Sequence, residues 1–409
     1  MSGAECTALL GGWEGYRVGR SSRRERPGGG AEVWIELVTL EGTPRWCSGC
    51  GEQVDQVHDR QQRLVRDLPI LDAATWLVVP RLRLLCPRCG PRLERLSWLA
   101  PYSRVTRRLA ESVVRLCAVL PILHVAQHFG LGWDAVKAID KAWLTERLDP
   151  IDLDGVELLV MDEFALHKGH RYATVAADAV TRRVLWVGRG RSRDAVRPFF
   201  ELLGPDRCRQ IKAVGIDMNA AFELEIRAHC PQTIVVYDLF HVVAKYGREV
   251  IDAVRVAEAN RLRHDKPARR VVKSARWLLL RNEESLTRPE ERTRLRELLD
   301  ANRALMTVYV LKDDLKQLWR LRHPELARSF WLSWYGRAIE SGIEPLIRFA
   351  QRLQAYLPGI LAHCLYPLHT SLLEGINNRI KVIKRMAYGF RDEEYFFLKI
   401  RAAFPGNPG

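Results

Sequence analysis

The sequence predicts a multidomain α/β protein in which two small modules precede a mixed sheet and a large, entirely helical insertion. Its 409 residues exceed what one hydrophobic core usually organises. Short apolar runs typical of strands fill residues 151–240, whereas apolar residues recur at helical spacing throughout residues 241–370. We therefore expect five segments, with boundaries at residues 1–100, 101–150, 151–240, 241–370 and 371–409.

The composition favours a folded protein with a polyanionic partner. Hydrophobic residues make up 47% and charged residues 28%, which argues against disorder. Lysine and arginine total 64 against 49 acidic residues, so nucleic acid is the first candidate partner, although a basic surface also serves solubility. No apolar run is long enough for a membrane span, and the N-terminus lacks a signal-peptide pattern. We expect a reducing cytoplasm without disulfides.

The first element predicted is a β-hairpin. Residues 14–18 and 32–38 have strand-like composition, and between them lies a stretch rich in arginine and glycine. We expect residues 21–30 to form a mobile loop. The arginines at residues 20–26 match no motif with an assignable role.

Two cysteine pairs then predict a metal site. Each pair has the form CxxCG, and the four thiols belong to Cys47, Cys50, Cys86 and Cys89. Four sulfur ligands with no open position describe a structural, tetrahedral Zn²⁺, as in a zinc ribbon. Redox-active pairs are the alternative. The remaining cysteines have no partner spacing, and we expect inert thiols at Cys6, Cys117, Cys208, Cys230 and Cys364.

Residues 105–148 predict three helices, interrupted at Pro121 and again at Gly130-Leu131-Gly132. The second and third helices have the lengths and the central turn of a helix-turn-helix. Its second helix would present Lys137 and Lys141 to the major groove of DNA. An ordinary helical hairpin fits the same pattern.

The sheet segment ends several apolar strands in an acidic residue. After an expected antiparallel meander, Asp162 closes the run 156–161, Asp217 closes 213–216, and Asp238 follows 233–237. A carboxylate at the end of a buried strand is costly unless it is paired or binds a metal. Helix capping is the alternative for Asp217, and it explains Asp238 equally well.

A helix near the C-terminus predicts a third acidic residue of the same site. At about 100° per residue, Glu374, Asn378, Lys381 and Arg385 share one face, opposite an apolar face. A carboxylate beside an amide and two cations suits a metal ligand flanked by phosphate-binding groups, although a solvated charged face is the simpler alternative. Three carboxylates suit two Mg²⁺ ions that catalyse phosphoryl transfer, with Asp238 in a supporting role.

Four sequence motifs resemble a known family. The segments MDEFALHKGHRY, GIDMNAAF, VVYDLFHVV and LLEGINNRIKVIKRMAYGF resemble the transposases of the ISL-three group of bacterial insertion sequences. The resemblance implies a ribonuclease H-like domain whose DDE triad would be Asp162, Asp217 and Glu374. It also implies that residues 241–370 are a helical insertion, whose core we expect to contain Trp277, Trp319, Trp331 and Trp334.

The resulting hypothesis is a DNA transposase. The zinc ribbon and helix-turn-helix would bind terminal inverted repeats, and the triad with two Mg²⁺, or Mn²⁺ in their place, would cleave and join double-stranded DNA. Lys381 and Arg385 would hold phosphates, a homodimer would pair two element ends, and the protein would act at the bacterial nucleoid in the cytoplasm. The alternatives are a zinc-ribbon DNA-binding regulator with an inactive catalytic domain and a metal-dependent nuclease, including one directed to RNA.

Overall fold

The computed structural model describes residues 10–26, 29–167, 169, 171–368 and 371–407, with Ser371 described by its backbone alone. Cys6 lies outside the described residues. The chain divides into two compact units. One comprises Met1–Asp149 with Lys384–Leu398, and the other comprises Pro150–Ile383 with Lys399–Gly409.

The first unit contains a five-stranded mixed sheet. Its strands run in the order β1-β2-β4-β3, with β5 paired to β4, and their bounds are β1 Tyr16–Glu25, β2 Ala31–Thr39, β3 Val57–Ile70, β4 Ala73–Cys86 and β5 Gly90–Leu93. The prediction of a mobile loop at residues 21–30 is wrong for its first half. Strand β1 continues through the arginines, because cross-strand pairing with β2 persists as far as Glu25 opposite Ala31.

Three helices follow in this unit, as the sequence predicted: α1 Arg107–Cys117, α2 Ile122–Phe129 and α3 Trp133–Leu148. The Thr106 hydroxyl caps α1 by accepting from the backbone N–H of Leu109. Helix α2 is followed by its C-cap, Gly130, whose φ of 60° is left-handed and therefore favours glycine. Leu109, Val125 and Val136, one from each helix, form part of a common buried core.

The second unit contains the other five-stranded mixed sheet, in the order β10-β9-β6-β7-β8. The predicted antiparallel meander is confirmed, since β6 pairs antiparallel with β7 and β7 with β8, whereas β9 and β10 continue the sheet in parallel. The strands are β6 Leu158–His167, β7 Arg171–Asp178, β8 Val184–Arg189, β9 Ala213–Ile216 and β10 Ile234–Tyr237, and the intervening helices are α4 Arg193–Gln210 and α5 Ala220–His229.

Helices alone follow β10 in the described part of the chain, apart from short 3-10 and π turns. They are α6 Leu239–Tyr246, α7 Asp252–Arg261, α8 Lys266–Ser274, α9 Arg276–Leu280, α10 Pro289–Ala301, α11 Arg303–Gln317, α12 Pro324–Glu340, α13 Glu344–Gln354, α14 Leu357–Leu361, α15 Ser371–Met386 and α16 Glu393–Ala403. None of the described helices is both long and apolar enough to cross a membrane.

The tryptophans of the helical segment differ in their burial. Trp319, Trp331 and Trp334 are buried in the same core as the sheet, as expected. The expectation for Trp277 is wrong, because its side chain is 66% exposed and lies beside the guanidinium of Arg276. The sequence periodicity predicted helices around all four tryptophans. It did not indicate which face of the five-residue helix α9 packs against the core.

Candidate active site and metal-binding cluster

The four predicted zinc ligands converge. The Sγ atoms of Cys47, Cys50, Cys86 and Cys89 all lie within 4.8 Å of one another. The first pair lies in a turn closed by a bridge between Trp46 and Gln53. The second pair lies at the β4–β5 turn, where Cys86 is the last residue of β4. Each cysteine pair thus occupies a turn of its own, as in a zinc ribbon.

The pKa values of two of these thiols are shifted in opposite directions. Hydrogen bonding to the backbone N–H of Glu52 lowers the pKa of Cys50 to about 7. Hydrogen bonding to Cys50 raises the pKa of Cys89 to about 12, so the free cluster resists complete ionisation. A divalent metal would stabilise all four thiolates together.

Asp162 lies within β6 and not at its end. The prediction that Asp162 closes the strand is wrong, because pairing of β6 with β7 continues to His167. On the other side of β6, however, the pairing with β9 stops at Val160. Asp162 therefore lies two residues beyond the last residue of β6 that pairs with β9, while it still pairs with β7.

The Asp162 carboxylate is held by two hydrogen bonds. Its Oδ1 accepts from the backbone N–H of Glu163 at 2.7 Å, and its Oδ2 accepts from Nδ2 of Asn377 at 2.7 Å. Burial raises the pKa of Asp162 to about 6, and the nearby negative charge of Asp217 adds to this rise. Without a metal ion, ionising the Asp162 carboxyl group therefore costs more free energy than ionising an exposed aspartate.

Asp217 directly follows β9, as predicted. The alternative that it caps the next helix is wrong, because the side chain of Asn219 caps α5 by accepting from the backbone N–H of Ala221. The Oδ1 atom of Asp217 is buried and has no hydrogen-bond partner among the described residues. Burial also raises the pKa of Asp217.

Helix α15 has the two faces that the sequence predicted. Leu373, Ile376, Ile380 and Ile383 are buried, whereas Glu374, Asn378, Lys381 and Arg385 are exposed. Glu374, Asn378 and Lys381 line a cavity of about 570 Å³ that also borders Asp162, Asp238 and His241. Neither Asp217 nor Arg385 is among the residues that line it.

Asp238 acts as a helix cap, the alternative that the sequence left open. Its carboxylate accepts from the backbone N–H of Phe240 at 3.2 Å, at the start of α6. This cap fixes the beginning of α6 at the cavity, where Phe240 and His241 are also lining residues.

Three residues of the site were not predicted. Asn377 orients Asp162, and Glu163 accepts hydrogen bonds from Arg191 at 2.6 Å and from Asn219 at 3.2 Å. The charge of His241, when protonated, lowers the pKa of both Asp162 and Asp217, opposing their burial. Asn377 and Glu163 each adjoin a predicted residue in the sequence, which was the only available signal for them.

The residues present fit a divalent cation. Buried oxygens without a hydrogen-bond partner belong to Asp217 and to Asn377, and both atoms are of the hard type that Mg²⁺ prefers. Among the described residues, the cysteine cluster is nevertheless the only set of three or more potential ligands that already lie close enough to share one ion. The carboxylates of Asp162, Asp217 and Glu374 are therefore not fully gathered.

The two lysines predicted to contact DNA are engaged in ion pairs. Nζ of Lys137 lies 2.9 Å from a carboxylate oxygen of Asp392, and Nζ of Lys141 lies 2.6 Å from one of Glu394. Although burial opposes it, hydrogen bonds from the backbone N–H of Tyr395 and from Lys137 lower the pKa of Asp392 to about 2. In this structure, an acidic segment thus neutralises the basic side of α3.

Comparisons with known proteins match three segments of the chain. Residues 159–400 match a DDE model of the ISL3 family described as a transposase. Residues 94–144 match the helix-turn-helix domain of transposase family ISL3. Residues 43–89 match the zinc-finger of transposases IS204, IS1001, IS1096 and IS1165. The zinc-finger match spans all four converging cysteines, which supports a structural zinc ion.

Two relatives match almost the whole chain. The transposase for insertion sequence element IS1001 of Bordetella parapertussis is 57% identical over 399 residues, covering 97% of each chain. The transposase for insertion sequence element IS1557 of Mycobacterium tuberculosis (strain H37Rv) is 26% identical over 394 residues, covering 90% of this chain and 87% of the relative. The catalytic-domain match alone covers more than half of the chain, and the chain belongs to the ISL3 family of DDE transposases.

Proposed function

We propose that this chain binds the terminal inverted repeats of an insertion sequence and catalyses metal-dependent cleavage of DNA and its joining to a target. The observation that carries the proposal is a pair of partly buried carboxylates, Asp162 and Asp217, whose pKa values are both raised and which interact with each other. Such a pair is costly without a cation, which is the usual mark of a functional site. Two relatives are named as transposases for insertion sequence elements.

In this proposal, Asp162, Asp217 and Glu374 hold two Mg²⁺ ions, for which Mn²⁺ can substitute. The ions would supply Lewis acidity, activating a water or a 3′-hydroxyl and stabilising the departing oxygen. Asn377 fixes the orientation of the Asp162 carboxylate through its hydrogen bond. Closure of Glu374 toward the two aspartates would accompany metal and DNA binding, since the three are not gathered in the free protein.

The exposed face of α15 would bind the DNA backbone beside these acidic residues. Lys381 lines the cavity with Glu374, and Arg385 lies one turn further along the same exposed face. Cations so placed can hold the phosphates that flank the scissile bond. Oδ1 of Asn378 accepts a hydrogen bond from Nζ of Lys381 at 3.2 Å and would orient that side chain. Asp238 would support the site by capping α6.

We also propose that the second sheet and its helices form a ribonuclease H-like domain. An antiparallel meander that continues into parallel strands linked by helices supports this assignment. The segment at residues 241–370 would be its insertion, and residues 371–409 would return the third acidic residue to the site. Residues 1–100 and 101–150 would form the zinc ribbon with its hairpin and the helix-turn-helix.

The helix-turn-helix would contact duplex DNA through α3. Lys137 and Lys141 can contribute only if phosphates displace Asp392 and Glu394 from them, because both lysines are already paired. Synapsis of two element ends makes a homodimer the expected assembly on DNA. A bacterial cytoplasmic location at the nucleoid is the corresponding expectation.

The decisive test compares two substitutions. Asp217→Asn removes the charge of a triad residue, whereas Asp206→Asn removes that of an aspartate whose side chain is 84% exposed. The chain would be incubated with the DNA that flanks its own gene and with Mg²⁺, and the breaks would be mapped. We expect Asp217→Asn to bind this DNA without cleaving it and Asp206→Asn to do both. Cleavage by Asp217→Asn would refute the triad, and a wild-type chain that binds without cleaving would favour the regulator.

A further inference from the structure

We propose that the open face of the N-terminal sheet is a second DNA-binding surface, which contacts the phosphate backbone of duplex DNA beside the helix-turn-helix. This inference rests on the proposed function, because it assigns an additional contact to the same DNA. It concerns the arginine-rich strand β1, whose role the motifs leave unexplained. Residues 10–42 lie outside all three family matches.

A groove on this face is lined mainly by polar side chains. Its volume is about 660 Å³, and its lining comprises Arg20, Ser22, Arg24, Trp34, Glu36, Gln62, Arg63, Leu64 and Val78. Strand register explains the grouping. Ser22 pairs with Trp34 and Arg20 with Glu36 across β1 and β2, so alternate residues of β1 point to the same face as the indole.

The arginines of the groove are not neutralised by ion pairs. Arg20, Arg24 and Arg63 have no acidic partner within salt-bridge distance in the described part of the chain, whereas their neighbours Arg23 and Arg26 do. Glu36 is the one acidic residue that lines the groove. Three arginines against one glutamate leave a net positive face, which is complementary to phosphate.

An aromatic stack holds one of these arginines in place. The guanidinium of Arg24 lies 4.4 Å from the ring centroid of Trp34, and Trp34 stacks on Trp76 at 5.9 Å. Glu32 accepts hydrogen bonds from both indole Nε1 atoms, at 2.9 Å and 3.2 Å. Arg24 is therefore preorganised, which lowers the entropic cost of using it in binding.

The same stack argues against a base as the ligand. Trp34 already contacts Arg24 at 4.4 Å and Trp76 at 5.9 Å, so a nucleobase would have to compete with these two neighbours to stack on it. Phosphate recognition requires only the exposed guanidinium groups. The geometry therefore favours the backbone of duplex DNA over the stacked bases of a single strand.

Arg66 links the aromatic stack beside the groove to the helix-turn-helix. The guanidinium of Arg66 lies 4.8 Å from the centroid of Trp76, at the other end of the stack. Its Nη2 atom donates at 2.8 Å to the carbonyl oxygen of Phe129, the last residue of α2. The sheet that carries the groove is therefore packed against α2, the first helix of the helix-turn-helix.

Charges on β1 have a simpler possible role, because β1 is an edge strand. Arginines on an edge discourage pairing with the strands of other molecules. That role predicts no difference between the two faces of the strand. The neighbours Arg24 and Arg23 separate the two explanations, because they lie on opposite faces of β1. The contact of Arg23 with Glu25 is long, at 3.8 Å, and joins two side chains at least 70% exposed, so it screens the charge of Arg23 little.

The test uses the full chain and a mixed-sequence duplex of about three helical turns, since phosphate contacts do not require a specific sequence. Affinity would be measured by fluorescence anisotropy across a range of KCl concentrations. We expect Arg24→Ala to weaken binding several-fold and to reduce the slope of log affinity against log salt by about 0.9, the value for one phosphate contact. Arg20→Ala should have the same effect as Arg24→Ala. In the double variant, the slope of log affinity against log salt should fall in magnitude by about 1.8.

The control is Arg23→Ala, which should leave the slope unchanged. Equal slopes for the Arg20 and Arg24 variants and for Arg23→Ala would overturn the inference, while binding by the wild type would preserve the proposed function. A wild-type chain that fails to bind any duplex would instead defeat both. If Arg24→Ala unfolds the hairpin, which circular dichroism would reveal, Arg20→Ala decides the question, because no aromatic ring among the described residues stacks on Arg20.

Discussion

The partly buried carboxylate of Asp162 predicts that Asp162→Asn, which we expect to be inactive, is more stable than the wild type when no Mg²⁺ is bound. The perturbation is Asp162→Asn, which removes the charge and nearly preserves the shape. The variant can keep both hydrogen bonds that the Asp162 carboxylate makes. The new amide oxygen can accept from the N–H of Glu163, and the amide of Asn377 can rotate so that its unpartnered Oδ1 accepts from the new NH₂ group.

The magnitude follows from the pKa of the wild-type group. Burial raises the pKa of Asp162 from 3.8 to about 6. At 1.36 kcal/mol per pH unit, this shift corresponds to at most roughly 3 kcal/mol. Because the folded state holds the proton more tightly, stability falls as pH rises from about 4 to 6, and the full penalty persists above pH 6. Partial exposure and water penetration reduce it, so we expect a gain of about 1 to 3 kcal/mol for the variant at neutral pH.

The assay is urea unfolding without added Mg²⁺ or Mn²⁺ and without a chelator, so that the zinc ion is kept, at about pH 7.5 and again at about pH 4.5, where most of the gain should disappear. Asp154→Asn is the matched control, because the Asp154 side chain is 80% exposed and its substitution should change stability by less than about 0.5 kcal/mol. Added Mg²⁺ should stabilise the wild type but not Asp162→Asn. A variant that is less stable than the wild type without added Mg²⁺ at the higher pH would refute the reasoning.

Three further predictions address other parts of the chain. Cys50→Ser should lower the zinc content measured by metal analysis and unfold the zinc module, and a purified wild type without zinc would contradict the cluster assignment. Trp331→Ala should cost about 3 to 5 kcal/mol in urea unfolding, whereas the exposed Trp277→Ala should cost less than about 0.5. Asp392→Asn should tighten DNA binding in anisotropy titrations by releasing Lys141 from one of its two acidic partners, and unchanged affinity would contradict the assignment of this lysine to DNA.

The sequence predicted those features that depend on local periodicity. Helix α15 shows this most clearly, since the spacing of Ile376, Ile380 and Ile383 alone fixed which face is buried. The cysteine pairs were equally readable, because two thiols three residues apart can bind one ion whatever the intervening fold. In both cases, the informative residues lie within one or two turns of one another.

Features that depend on pairing between distant segments were not predictable in the same way. The extent of β1 depends on its register with β2, and the position of Asp162 within β6 depends on how far β7 continues beside it. The ion pairs of Lys137 and Lys141 depend on residues more than 250 positions away in the sequence. Nothing in the local pattern of α3 indicates that its cations already have partners.

These long-range contacts change how DNA binding and catalysis are expected to relate. In the free protein, the basic side of α3 is paired with acidic residues, and partial burial raises the pKa values of the proposed catalytic carboxylates Asp162 and Asp217. Phosphates would compete for those cations, and a divalent cation would relieve the repulsion between Asp162 and Asp217. The groove beside β1, here called the β1 groove, differs because its arginines, Arg20, Arg24 and Arg63, have no acidic partner within salt-bridge distance among the described residues. We therefore expect the β1 groove to make the earliest contacts with DNA, before α3 exchanges its acidic partners for phosphates.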